Sequence, residues 1–157
     1  GIPENRYGLL MALNAAMVVT MQFTITRFTN RFPRTRMMAL GAFLYAIGVG
    51  SIGWSDSYWR FALNVVILTL GEMVIVPTSA AFVADLAPAH LRGRYMGAYG
   101  LTHGLGFGTG PLLGGTLADR LGASQAWPVL LGVGLVSSAG FLGLRGVGQR
   151  QQRDPLG

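Results

Sequence analysis

Residues 68–82 read LTLGEMVIVPTSAAF, an apolar run with one carboxylate, Glu72, near its middle. A charge at mid-bilayer costs at least about 2.5–3.5 kcal/mol. The group therefore faces water or a cation, or it takes up a proton. Either state suits a proton carrier or a partner for a substrate charge. The plainer alternative is a protonated carboxyl that hydrogen-bonds a neighbouring helix. His103, in another apolar run, could share a proton with Glu72 or serve helix packing. The chain has no cysteine. Neither a nucleophile with base and orienter nor a metal-ligand cluster is apparent, so no catalysis and no metal site are expected.

The elements that must hold these groups are apolar spans. Runs near the length needed to cross a bilayer fall at 7–28, 37–54, 61–84, 95–118 and 127–144. Trp54, Tyr58, Trp59, Tyr95 and Trp127 lie near their ends, as amphipathic rings do at a membrane interface. Only 11% of residues are charged and 51% are hydrophobic, with mean hydropathy +0.46. A soluble domain averages roughly 25% charged residues. Five such runs in 157 residues leave almost no polar surface for water, which argues against a soluble helical protein.

The polar residues within three spans cluster. Asn64, Thr69, Glu72 and Ser79 share about 140° of one helix, with Val66, Ile67, Met73 and Val74 opposite. That pattern predicts one face on a cavity or bundle interior and the other in lipid. Pro77 cannot donate a backbone hydrogen bond, so the groups it frees need partners in protein or water. Tyr95, Tyr99, Thr102, His103 and Thr109 share about 120° of the fourth span. Asn14, Met17, Met21 and Thr24 share about 80° of the first. Flexible methionine and aromatic side chains suit a pocket for varied apolar ligands. They equally suit packing between helices, which is the favoured reading for the first-span group.

All 12 basic residues are arginine, and the net charge is +6. They sit in the gaps between spans, not along one amphipathic face, so nucleic acid is not the expected partner. The gap after the first span carries Arg27, Arg31, Arg34 and Arg36, net +4. The third gap, with Asp85, Arg92 and Arg94, is net +1, and the tail with Arg145, Arg150, Arg153 and Asp154 is net +2. The start and the remaining gaps are neutral. This alternation predicts a multi-pass protein whose arginine-bearing gaps and C-terminal tail, 145–157, are cytoplasmic and whose N-terminal end lies outside. The chain opens Gly1-Ile2-Pro3 without a signal pattern, so an upstream span is expected and the chain reads as a fragment.

The stretch GAYGLTHGLGFGTGPLLGG, 97–115, adds small stripes that let another backbone approach closely, and Pro111 adds a kink. That combination suits a moving joint; static packing needs the glycines but not the proline. Its skeleton is Gly97, Gly106, Gly110-Pro111 and Gly114-Gly115. It resembles the antiporter motif of the major facilitator superfamily at every position. RFTNRFPRTRMMALG resembles that family's degraded loop motif after the eighth helix. GEMVIVP with VADLAPAHLRGRYMG resembles a tenth helix and its cytoplasmic exit in bacterial drug-efflux members.

The resemblance implies an all-α membrane protein: helices eight to twelve of twelve, most of the C-terminal six-helix bundle, in a bacterial inner membrane. It further implies proton-coupled efflux of drugs or other amphipathic small molecules by alternating access. No cofactor is expected beyond the proton gradient as energy source, and the partners are the lipid bilayer, a small-molecule substrate and an absent N-terminal half. A nutrient or metabolite transporter of the same fold is the alternative, as is a non-transporting membrane scaffold. By resemblance Asp85 pairs with a loop arginine, Arg31, to close a cytoplasmic gate flanked by Arg92 and Arg94; ordinary interfacial charge is the other reading. The loop around Arg31 departs from the family pattern at Thr26, Asn30 and Pro33. GTLADRLG, 115–122, matches the pattern better, but by charge it falls outside, where it reads as a helix end with a local Asp119–Arg120 ion pair. The expected cavity lining is Asn14, Met17, Met21, Asn64, Tyr99 and Thr102.

Overall fold

The computed structural model of the chain describes residues 4–144. The expected tail, 145–157, lies outside them. Five helices form: α1 Glu4–Thr29, α2 Arg34–Gly50, α3 Tyr58–Leu86, α4 Arg92–Leu121 and α5 Ala123–Gly143. Short 3-10 turns at Ser51–Trp54 and Ala89–Leu91 end α2 and lead into α4, and no strand forms among the described residues. At 1.5 Å per residue, α1, α3 and α4 reach roughly 39–45 Å, longer than the apolar core of a bilayer. Arg6–Thr29, Arg34–Trp54, Tyr58–Leu86 and Ser124–Gly143 are long and apolar enough to cross a membrane. α4 has the length, but its nine glycines dilute its apolar side chains.

The punctuation is local. Pro33 precedes α2, where a fixed φ suits helix entry. The Ser57 side chain accepts from the Arg60 amide at 3.4 Å and caps α3. Asp56 and Arg60 pair at 3.0 Å beside that cap. Gly122, at φ +85, is the only described residue in the left-handed region, and it alone separates α4 from α5. α5 therefore starts at Ala123, ahead of the expected 127, because the turn needs a single residue.

Packing centres on α2, which lies between α3 and α5, with α1 on α3 and α4 touching α5 and α3. Two sets of small residues make α2 a two-sided spacer. Towards α3, Gly41 meets Ile75 and Gly71, and Gly48 meets Leu68. Towards α5, Ala46 meets Gly134 and Gly50 meets Leu131, and in the 3-10 turn that follows Gly53 meets Trp127. The buried Ser138 hydroxyl of α5 donates to the Ala39 carbonyl at 2.8 Å. Such close approach gains dispersion contacts that lipid cannot provide.

The packing overturns one expectation. Met73 and Val74, placed in lipid by the helical arc, are 1% and 7% exposed. α3 is flanked by α1, α2 and α4, so burial covers more than one face, and an arc argument assumes one. Along α4, no neighbouring helix among the described residues covers the glycines expected to admit another backbone. α4 has no buried residue, and a methyl group added at Gly97, Gly106, Gly110, Gly114 or Gly115 meets nothing within 4 Å. α4 runs unbroken through Pro111. Its outward side chains include Leu101, Leu105 and Phe107, 65–77% exposed, as expected where lipid or another bundle is the neighbour.

Candidate functional site

The site grows from the interruption that Pro77 makes in α3. A helical N–H at position 77 would bond the carbonyl four residues earlier, that of Met73. Pro77 has none. The Gln22 side-chain amide of α1 donates to that carbonyl at 3.1 Å, and also to Thr26 Oγ1 at 2.9 Å. Two turns earlier on α1, Asn14 Nδ2 donates to Thr69 Oγ1 at 2.8 Å, and that hydroxyl donates to the Val65 carbonyl at 2.7 Å. These two α1–α3 contacts end three residues before Glu72 and one after it.

Glu72 is half-buried. Among the described residues it forms no ion pair, and every fully buried side-chain nitrogen or oxygen has a partner. Its unpartnered oxygens therefore keep accessible surface. Tyr45 of α2 lays its backbone against Gly71, the residue before Glu72. A half-buried acid with a free face, in a helix with an interrupted hydrogen-bond ladder, can take up and release a proton or meet a cation.

His103 does not pair with Glu72. It lies on the exposed side of α4 in an aromatic ladder, tilted against Tyr99 at 6.2 Å and stacked on Phe107 at 6.1 Å. Tyr99 bridges α4 to α3: its hydroxyl lies 2.8 Å from Ser79 Oγ and donates to the Val76 carbonyl at 3.4 Å. The Thr102 hydroxyl donates to the Tyr99 carbonyl of its own helix. Asn64 is buried and donates to Ser55 Oγ at 2.8 Å, tying the start of α3 to the turn before it. Met17 is half-buried, and Met21 is 42% exposed.

At the arginine-rich end, the pairing differs from the one the resemblance implied. Asp85 accepts from Arg34 Nε at 2.6 Å, and Arg31 is exposed. Arg34 opens α2, which packs along α3, so its side chain starts close to the end of α3; Arg31 sits in the turn. Arg92 and Arg94 are exposed and form no ion pair among the described residues. The expected Asp119–Arg120 pair also does not form there, since the described ion pairs are Arg34–Asp85 and Asp56–Arg60. Adjacent helical residues point about 100° apart, which separates the two side chains.

Gln22, Tyr45 and Arg34 were not among the expected site residues. For Gln22 the signal was present: a proline inside a span calls for a donor to the carbonyl four residues back, and Gln22 is an amide within the first span.

Residues 1–155 match the profile of the Major Facilitator Superfamily. An uncharacterised MFS-type transporter of Bacillus subtilis, YqjV, is 32% identical over 133 residues, which is 83% of this chain and 32% of that protein. A Na(+), Li(+), K(+)/H(+) antiporter of Planococcus maritimus is 27% identical over 103 residues, 66% of this chain and 24% of that protein. An uncharacterised MFS-type transporter of Escherichia coli, YdeE, is 28% identical over 153 residues, 97% of this chain and 38% of that protein. The chain thus spans between 24% and 38% of the length of these relatives. No solved structure matches it. With apolar helices, outward-facing apolar side chains and a match over almost its whole length, the chain belongs to the Major Facilitator Superfamily.

Proposed function

We propose that the chain is the C-terminal part of a secondary active transporter that exchanges protons for a small solute, with Glu72 as the proton carrier. The observation that carries this reading is the half-buried Glu72 carboxyl, free of hydrogen-bond and ion-pair partners among the described residues. A structural carboxyl would be expected to bond a neighbouring helix. In alternating access the helix bundle rocks about a midplane site, and the free face of Glu72 meets water on one side and then the other. The α4 glycines face away from the described chain, which fits a surface for the other half of the transporter. Drugs or amphipathic solutes remain the proposed cargo, by resemblance of the α3 exit and the glycine–proline motif.

A second reading, monovalent cation–proton exchange, is supported by similarity to the Na(+), Li(+), K(+)/H(+) antiporter of Planococcus maritimus. A carboxyl with an open face can bind a cation and a proton in turn, so the same residue serves both readings.

The test uses the full-length protein in proteoliposomes under an imposed pH gradient. The probes are Na+, Li+ and K+ salts, and ethidium as a lipophilic cation. Dissipation by the inorganic cations selects the second reading, and ethidium accumulation the first. Glu72→Gln is expected to retain substrate exchange at equilibrium and to lose gradient-driven accumulation. Undiminished accumulation by this variant would remove Glu72 from the coupling.

A further inference from the structure

Unpaired carbonyls are costly where no water reaches them, so the vacancy made by a proline needs a substitute donor. Met73 can only accept through its carbonyl, which settles that the Gln22 group facing it is the amide nitrogen. The two residues lie 51 positions apart and on different helices, so helix geometry alone does not bring them together. We infer that Gln22 stands in for the missing N–H of Pro77 and is a positioning residue: it holds the backbone of α3 in place one residue from Glu72. This role in transport rests on the reading of Glu72 as proton carrier.

The amide has two hydrogens and two acceptors, the Met73 carbonyl and Thr26 Oγ1. Thr26 lies one turn further along α1, so Gln22 keeps a partner within its own helix when it lets go of Met73. The contact to α3 is thus detachable without stranding the donor. Among the described residues Asn14 has no such reserve partner, and its bond to Thr69 fixes the other side of Glu72. A displacement of α1 against α3 at this level must carry the Glu72 segment along or release the Met73 carbonyl. A released carbonyl next to a carboxyl is a place where water or a cation gains a ligand.

The experiment is a double-mutant cycle on the full-length protein. Gln22→Met keeps the length of the side chain and removes the donor; Pro77→Ala restores the backbone N–H. Thermal unfolding in detergent is expected to show the midpoint lowered by about 1–4 °C for Gln22→Met in the native background. With Pro77→Ala most of that loss disappears, because the helix again satisfies Met73 itself. Equal losses in both backgrounds overturn the proposal, since the amide then acts by packing alone. In proteoliposomes, with the probe cation that the native protein moves, Gln22→Met should lower kcat severalfold and leave KM within twofold. A change confined to KM overturns the positioning role. Glu72→Gln retaining full coupling removes the proton-carrier reading only, and the thermal cycle still decides whether Gln22 caps Met73.

Discussion

Gly71 and Gly106 look alike in sequence, each a glycine inside an apolar span, and the structure predicts opposite outcomes for the same change. A methyl group on Gly71 would stand 2.5 Å from the Tyr45 amide nitrogen and 2.8 Å from the Gly41 carbonyl oxygen. Those distances are roughly 1 Å inside van der Waals contact. Both atoms are backbone, so no rotamer change relieves the clash, and α2 and α3 must separate. Overpacking of this kind costs about 3 kcal/mol, and the gain in helix propensity returns about 1 kcal/mol. The expected net loss for Gly71→Ala is about 2 kcal/mol, or some 4–8 °C in the unfolding midpoint for a chain of this size. At Gly106 an added methyl meets nothing within 4 Å. Gly106→Ala should therefore leave the isolated 157-residue chain unchanged or raise its midpoint by a few degrees. Thermal unfolding of both variants in one detergent decides the matter. A Gly106→Ala loss equal to that of Gly71→Ala would refute the packing order in which α2 is central and α4 peripheral.

Asn14→Leu removes the donor to Thr69 and is expected to cost about 0.6–1.7 kcal/mol in denaturant unfolding, with Thr69→Val costing at least as much because it strands the Asn14 amide. The Arg34–Asp85 pair has side chains 35% and 59% exposed, so a double-mutant cycle should return a coupling of no more than about 1 kcal/mol. That coupling should shrink as salt is raised, and Arg31→Gln, which touches a residue outside the pair, should leave it unchanged.

Much of the architecture was legible because a bilayer imposes a simple code. Length and apolarity select four of the five spans, α4 having the length but fewer apolar side chains, and the arginine gaps and interfacial aromatics delimit them. Each observed helix contains or nearly coincides with an expected span, with errors at the ends where Ser57 and Gly122 set the boundary. The candidate site was legible only in part. Glu72 and Pro77 stood out as a charge and a missing donor in the wrong solvent. Gln22 did not, because it reaches, from another helix, the Met73 carbonyl that Pro77 leaves free.

Sequence alone therefore determined the class of protein, the number of helices and the residue whose chemistry does not belong in lipid. These follow from the transfer energy of each residue and its neighbours along the chain. Tertiary structure decided which glycines are packing surfaces. Gly41, Gly48 and Gly71 meet backbone or side chains of the facing helix, and the α4 glycines, richer in motif, meet none. It also decided that Arg34, not Arg31, reaches Asp85, and that Gln22 completes α3 beside Glu72. The physical reason is common to all three. A helix presents every azimuth equally until a second helix covers some of them, and which azimuths are covered depends on contacts between residues far apart in the chain.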